Sequence, residues 1–149
     1  MNLSQLNAAL QDVDSAICRA AAARLEVFAG HYFDLHLRNA GLTPQNVVPI
    51  AEALAHFDGP ELRSFSISYN PSIGDVGAIA LLTKLPKTVT ELGMVGCALG
   101  DESGKALLDW GRQATKVRMV CVEGNQYSCE LRKELLMLGQ GGLGPSIFV

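Results

Sequence analysis

Asp34 and His36 stand two residues apart in the alternating stretch Asp34-Leu35-His36-Leu37-Arg38, and Ser66 takes the place of His36 in a similar stretch 30 residues later. A serine, a histidine and a carboxylate are the parts of an acyl-transfer nucleophile. Two features count against that chemistry. Side chains two apart on one strand project in parallel, so Asp34 reaches the His36 ring only through a bent hydrogen bond. Ser66 lies mid-strand, with no glycine-flanked turn to supply an oxyanion site. A metal set of His36, Cys121 and Glu123 fails on distance, because their strands are expected roughly 14 Å apart. Gly139-Gln-Gly141-Gly-Leu-Gly144 spells a dinucleotide fingerprint. It follows a predicted helix and precedes Pro145, so no helix N-terminus is available for a pyrophosphate. Cys18, Cys97, Cys121 and Cys129 form no C-x-x-C pair, which suggests neither a zinc knuckle nor a redox motif. No catalytic residue, cofactor or metal is therefore expected.

The elements that carry these residues repeat. Four windows share an apolar-x-x-apolar-x-apolar-x-x-(Asn/Cys/small) spacing: Tyr32, Leu35, Leu37, Ala40; Leu62, Phe65, Ile67, Asn70; Val89, Leu92, Met94, Cys97; and Val117, Val120, Val122, Asn125. The closing positions are 30, 27 and 28 residues apart. That period signals a solenoid of stacked strand–helix units. In each unit a strand with one buried face turns at the closing residue and returns through a helix. Thr43-Pro44, Asp75, Asp101 or Ser103, and Ser128 are the expected helix starts. Asn70 and Asn125 are suited to bond the backbone of the turn from rung to rung, and Cys97 can do so weakly. Ala40 cannot.

Residues 1 to about 30 lack the repeat. Leu3, Leu6, Leu10, Val13 and Ile17 follow helical spacing there, predicting one or two helices that cap the open end of the stack. The expected organisation is a single domain over 1–149. It comprises a helical cap over 1–30, four repeats over 31–138, and a loose glycine-rich tail over 139–149.

Units of this length with a helical return resemble leucine-rich repeats of the ribonuclease-inhibitor type. Ile67-Ser-Tyr-Asn70-Pro-Ser-Ile73-Gly74-Asp75 carries the resemblance most specifically, and Met94-Val-Gly-Cys97-Ala-Leu99-Gly100-Asp101 echoes it. The resemblance implies an α/β solenoid with a parallel sheet on its concave face and helices on the convex face. It further implies a non-catalytic module that binds a protein or peptide. One branch of this repeat family activates small GTPases with an arginine. On that reading Arg38, beside Asn39, is the residue to test.

With Leu35, Leu37, Phe65, Ile67, Leu92, Met94, Val120 and Val122 pointing inward, their alternate neighbours line the concave face. The predicted binding residues are Asp34, His36, Arg38, Ser64, Ser66, Ser68, Tyr69, Glu91, Val95, Met119, Cys121 and Glu123. Tyr69 is the expected anchor, because aromatic residues with a polar tip dominate binding hot spots.

The net charge of -3 offers no basic footprint for nucleic acid. No apolar run reaches the roughly 20 residues of a membrane span. The opening Met-Asn-Leu-Ser-Gln-Leu lacks the basic start and apolar stretch of a secretory signal. A cytoplasmic setting with reduced thiols is expected, and a protein delivered into a host cell fits the same sequence.

Overall fold

The computed structural model describes residues 3–56, 59–140, 142 and 144–149. Two helices, α1 (Ser4–Gln11) and α2 (Ala16–Glu26), precede alternating strands and helices: β1 (Tyr32–His36), α3 (Pro44–His56), β2 (Glu61–Ser66), α4 (Gly74–Leu82), β3 (Glu91–Gly93), α5 (Asp101–Gln113), β4 (Met119–Cys121), α6 (Cys129–Leu138) and β5 (Ser146–Phe148). The strands form one parallel sheet in sequence order, β1 to β5. Each helix from α3 to α6 packs on the next, and α1 packs against both α2 and α3. The N-terminal pair thus covers the first unit's open side. Leu6, Leu10, Cys18 and Ala22, each no more than 1% exposed, seal it.

The eight positions expected to point inward are all buried. Their strands are short, from three to six residues, because the chain soon turns into its helix. The closing asparagines hold that turn. Asn70 Oδ1 accepts from the backbone N–H of Ala40 and of Leu42, both at 3.0 Å. Its Nδ2 donates to the carbonyls of Leu37 (2.9 Å) and Ile67 (2.7 Å). Asn125 repeats the pattern toward Cys97 and Leu99, then Met94 and Val122. The Cys97 thiol donates to Ile67 O at 3.1 Å. Ala40 contributes only its backbone N–H, donated to Asn70 Oδ1, so the side-chain ladder ends at the first rung.

Helix starts are tied across units as well as within them. Thr43 and Asn46 bond reciprocally at α3, and Ser128 accepts from Leu131 N at α6. Asp75 lies in the first turn of α4, at the expected helix start, but its side chain caps the next helix. Its Oδ1 accepts from Gly100 N at 2.9 Å, Ser103 N at 3.2 Å and the Ser103 hydroxyl. Asp101 does the same one unit on, accepting from Ser128 N at 2.7 Å. Burial pushes the Asp75 carboxyl up, but the Ser103 hydroxyl and the backbone N–H groups of Gly100 and Ser103 outweigh it and hold its pKa below the ordinary value. A carboxylate depressed on folding stabilises the fold above its unfolded pKa, near 4, and loses that contribution as pH falls through the folded value. Asp75→Ala should therefore cost about 1 kcal/mol at neutral pH, as cap removal does. The deficit should shrink as denaturant midpoints are followed down into the acid range.

Two expectations are corrected. Tyr32, expected in the inward frame of the first unit, is 51% exposed, and Phe33 at 4% takes its place. A shift of register between Phe33 and Asp34 pairs Phe33 with Leu62 and Asp34 with Ser64. Arg63 is the unmatched residue, and its guanidinium lies 3.3 Å from the Tyr32 ring centre. The tail, expected to be loose, carries a fifth strand. Ser146, Ile147 and Phe148 pair with Met119, Val120 and Cys121. Ile147 follows Val120 by 27 residues, the period of the repeat, and packs with Val149 on the core. Burial of these apolar groups and the added ladder bonds outweigh the entropy of the preceding glycines. Of the Gly139–Gly144 fingerprint, Gly141 and Leu143 lie outside the described residues.

Among the described residues two buried side-chain oxygens lack a hydrogen-bond partner, Asn7 Oδ1 and the Tyr127 hydroxyl. Burial drives the pKa of the Tyr127 hydroxyl far up. Leu42, Ile73 and Leu99 fill the matching sites of the other units, each two or three residues past the closing position. Tyr127→Phe should raise stability by about 1 kcal/mol, since an orphaned buried hydroxyl is a net cost. Thermal unfolding of the two proteins checks this.

Candidate functional site

The strand register arranges the outward residues in rows across the sheet. Asp34, Ser64, Glu91, Met119 and Ser146 make one; His36, Ser66, Gly93, Cys121 and Phe148 make the next. Arg38, Ser68, Val95 and Glu123 follow two residues further along each strand. Together with Tyr69 these rows bound a shallow groove of about 350 Å³. His36, Arg38 and Tyr69 stand on or just beyond β1 and β2, and Glu91, Met119, Cys121 and Glu123 on or just beyond β3 and β4. Ser64, Ser66, Ser68, Gly93 and Val95 lie between them. Eleven of the twelve predicted residues line the groove. Asp34 does not; its carboxylate turns aside to accept from Ser64 N at 3.2 Å. A hollow of similar size near Leu54, Pro60, Lys84 and Thr88 contains none of the predicted residues.

Ser68 lines the groove but is 3% exposed. Its hydroxyl accepts from Val95 N at 3.0 Å and from the Ser66 hydroxyl at 3.2 Å. It is a bracket between two turns, where the sequence reading expected a contact residue. Ser66 leans the same way, toward Ser68 and over Gly93. A side chain at Gly93 would meet the Ser66 oxygen at 2.8 Å, so the glycine there is set by close approach.

The Asp34, His36 and Ser66 set does not assemble. Ser66 is indeed the register partner of His36, yet His36 Nε2 lies 2.8 Å from Ser64 Oγ. Ser64 in turn donates to Glu91 at 3.4 Å. With its one proton directed at Glu91, the Ser64 hydroxyl receives from His36, the reverse of the proton order that activates a nucleophile. Among the described residues no cluster of three or more His, Cys, Asp and Glu side chains is placed to hold a metal ion. Burial, with Glu123 and Glu91 close by, raises the pKa of the Cys121 thiol. That holds it in the unreactive protonated form at neutral pH.

Tyr69 is the unusual residue. Its φ is +62°, in the left-handed region that disfavours bulky side chains. The residue just before each closing position adopts this conformation: Asn39 (φ 50), Tyr69, Gly96 (φ 61) and Gly124 (φ 70). Three of the four units carry the types that tolerate it, asparagine or glycine. The second unit carries a tyrosine instead, 49% exposed at the groove. Arg38 lies against it, with its guanidinium 5.2 Å from the ring centre. Reading the position before each closing residue down the four windows (Asn, Tyr, Gly, Gly) would have exposed this anomaly in the sequence.

A leucine-rich repeat family model matches residues 61–82 and 86–108, covering much of the second and third units. Among solved structures, the tropomodulin C-terminal domain of Caenorhabditis elegans aligns with a TM-score of 0.65 at 11% identity. That alignment covers 100% of this chain and 83% of the other. At that identity the likeness is one of fold. No curated protein sequence matches the chain. The chain carries leucine-rich repeats and has the fold of a leucine-rich repeat solenoid. Domains of this class generally mediate protein–protein interaction and are typically non-enzymatic. Among the described residues no helix is long and apolar enough to cross a membrane.

Proposed function

We propose that the concave groove is a non-catalytic binding site for a partner protein or peptide in the cytoplasm, with Tyr69 as its anchor. The observation that carries this reading is the left-handed tyrosine. A bulky residue in that conformation costs about 1–2 kcal/mol, and other units place asparagine or glycine there. Half-exposed, the ring recovers only part of the cost by packing. Strain of this kind is retained where a side chain is needed at the surface. The groove's aromatic ring with a stacked arginine, over a floor of small residues, matches the make-up of binding hot spots.

Affinity capture from native lysate, run side by side with wild type and a Tyr69→Gly, His36→Ala double variant, tests the reading. A partner retained by wild type and lost by an equally folded variant supports it. Identical captures count against the groove. The GTPase-activating reading draws less support, because an arginine offered to a GTPase must extend away from its own surface, and Arg38 rests on Tyr69. Unchanged hydrolysis by a GTPase panel would remove it.

A further inference from the structure

From its flanks and floor, we infer that the groove accepts an amphipathic helix lying along the strands, with a carboxylate on the flank facing Arg38 and His36. Two basic residues about two turns apart occupy the flank facing Glu91 and Glu123. This rests on the groove being the binding site, and it names the chemistry of the occupant.

Three observations lead there. First, β2, β3 and β4 are each paired on both sides. An occupant of the groove therefore cannot add as a strand and must bind through side chains. Second, β1 and β4 are three strand spacings apart, about 14 Å. A helix with its side chains is about 10–12 Å across, which fills that width without reaching past either flank. Third, charges of opposite sign sit on different strands and are not paired with one another, the neutral Ser64 hydroxyl standing between His36 and Glu91. His36 and Arg38 lie on β1 or just beyond it; Glu91 lies on β3, and Glu123 lies just past β4. None of these four takes part in an ion pair among the described residues, whose pairs all lie elsewhere on the surface. Opposite signs on opposite flanks fix the rotation of a bound helix and suppress the reversed one.

The spacing follows from the rows. Glu91 and Glu123 are two rows apart along the strand direction, about 13 Å. Positions i and i+7 of a helix are about 10.5 Å apart, and flexible lysine or arginine side chains close the difference. Between the flanks, Val95 is only partly buried and Gly93 presents no side chain. The low floor leaves room for a helix, and Tyr69, Val95 and Met119 offer apolar surface to its stripe.

A yeast-displayed library of 18-residue helix-forming peptides, randomised on all faces, provides the probe. It is sorted on the wild-type protein and re-tested on the Tyr69→Gly, Arg38→Glu and Glu123→Lys variants, each checked for folding by circular dichroism. The expected result is that clones dependent on Tyr69 carry an apolar stripe, a carboxylate on one flank and basic residues seven apart on the other. Each charge reversal should weaken them at least tenfold. Sorting afresh on Arg38→Glu should enrich a basic residue where the carboxylate stood. Tyr69-dependent clones that are extended or proline-rich, or that lack segregated charge, overturn the helix assignment and leave groove binding standing. An absence of Tyr69-dependent clones overturns both.

Discussion

Asn70→Ala is expected to cost about 3–5 kcal/mol, because it strands several buried backbone groups at roughly 1–3 kcal/mol each. Asn70 is wholly buried. Its carbonyl oxygen serves two N–H groups of the preceding turn, and its amide serves carbonyls of both rungs. The bonds they make are buried. The loss is a large share of the 5–15 kcal/mol that holds a typical domain folded. Asn70→Cys should lose less, because a thiol at the matching place in the third unit, Cys97, still donates across the rung. Urea unfolding of the three proteins measures the order. Equal midpoints for wild type and Asn70→Ala would mean that the asparagine is not what closes the turn.

Tyr69→Gly should behave in the opposite way. Removing a left-handed tyrosine relieves about 1–2 kcal/mol. The flexible glycine returns about 0.5–1 kcal/mol to the unfolded state, and the lost Arg38 contact costs about as much again at an exposed site. The fold should thus stay within about 1 kcal/mol of wild type. Affinity for the captured partner should fall about 30-fold, the 2 kcal/mol of a hot-spot residue. A side chain that merely packed over the turn would give the reverse pair of results, with stability lost and affinity kept. Calorimetry with the partner, alongside thermal melts, distinguishes the two.

The repeat was legible because its inward positions recur at fixed spacing, and Phe65, Leu92 and Val120 fall in register in the sheet. Thr43 and Ser128 were readable as helix starts because their partners are three residues away in sequence. What escaped depends on neighbours a full unit away. Asp75 caps the helix after its own, so its role appears only once two units are stacked. Phe33 displaced Tyr32 because β2 holds one residue more than β1 opposite it, a mismatch invisible within either strand. Ile147 and Val149 kept the period of the repeat, but they lack the leading apolar residue and the closing asparagine, and so read as tail. In the groove, alternation identified which side chains face outward. It could not tell that Ser68 and Ser66 bend back to brace the Val95 turn, or that His36 chooses Ser64 over its register partner. Those choices are made by hydrogen bonds between side chains on adjacent strands, which no single-strand pattern encodes.

The most direct test of the account is backbone amide chemical-shift mapping of the labelled protein during titration with its captured partner. The account predicts perturbations concentrated along the concave rows, at residues 36–39, 64–69, 91–96 and 119–124, with the amides of α3 to α5 unmoved. Perturbations confined to those helices, or to α6 and β5, would contradict it.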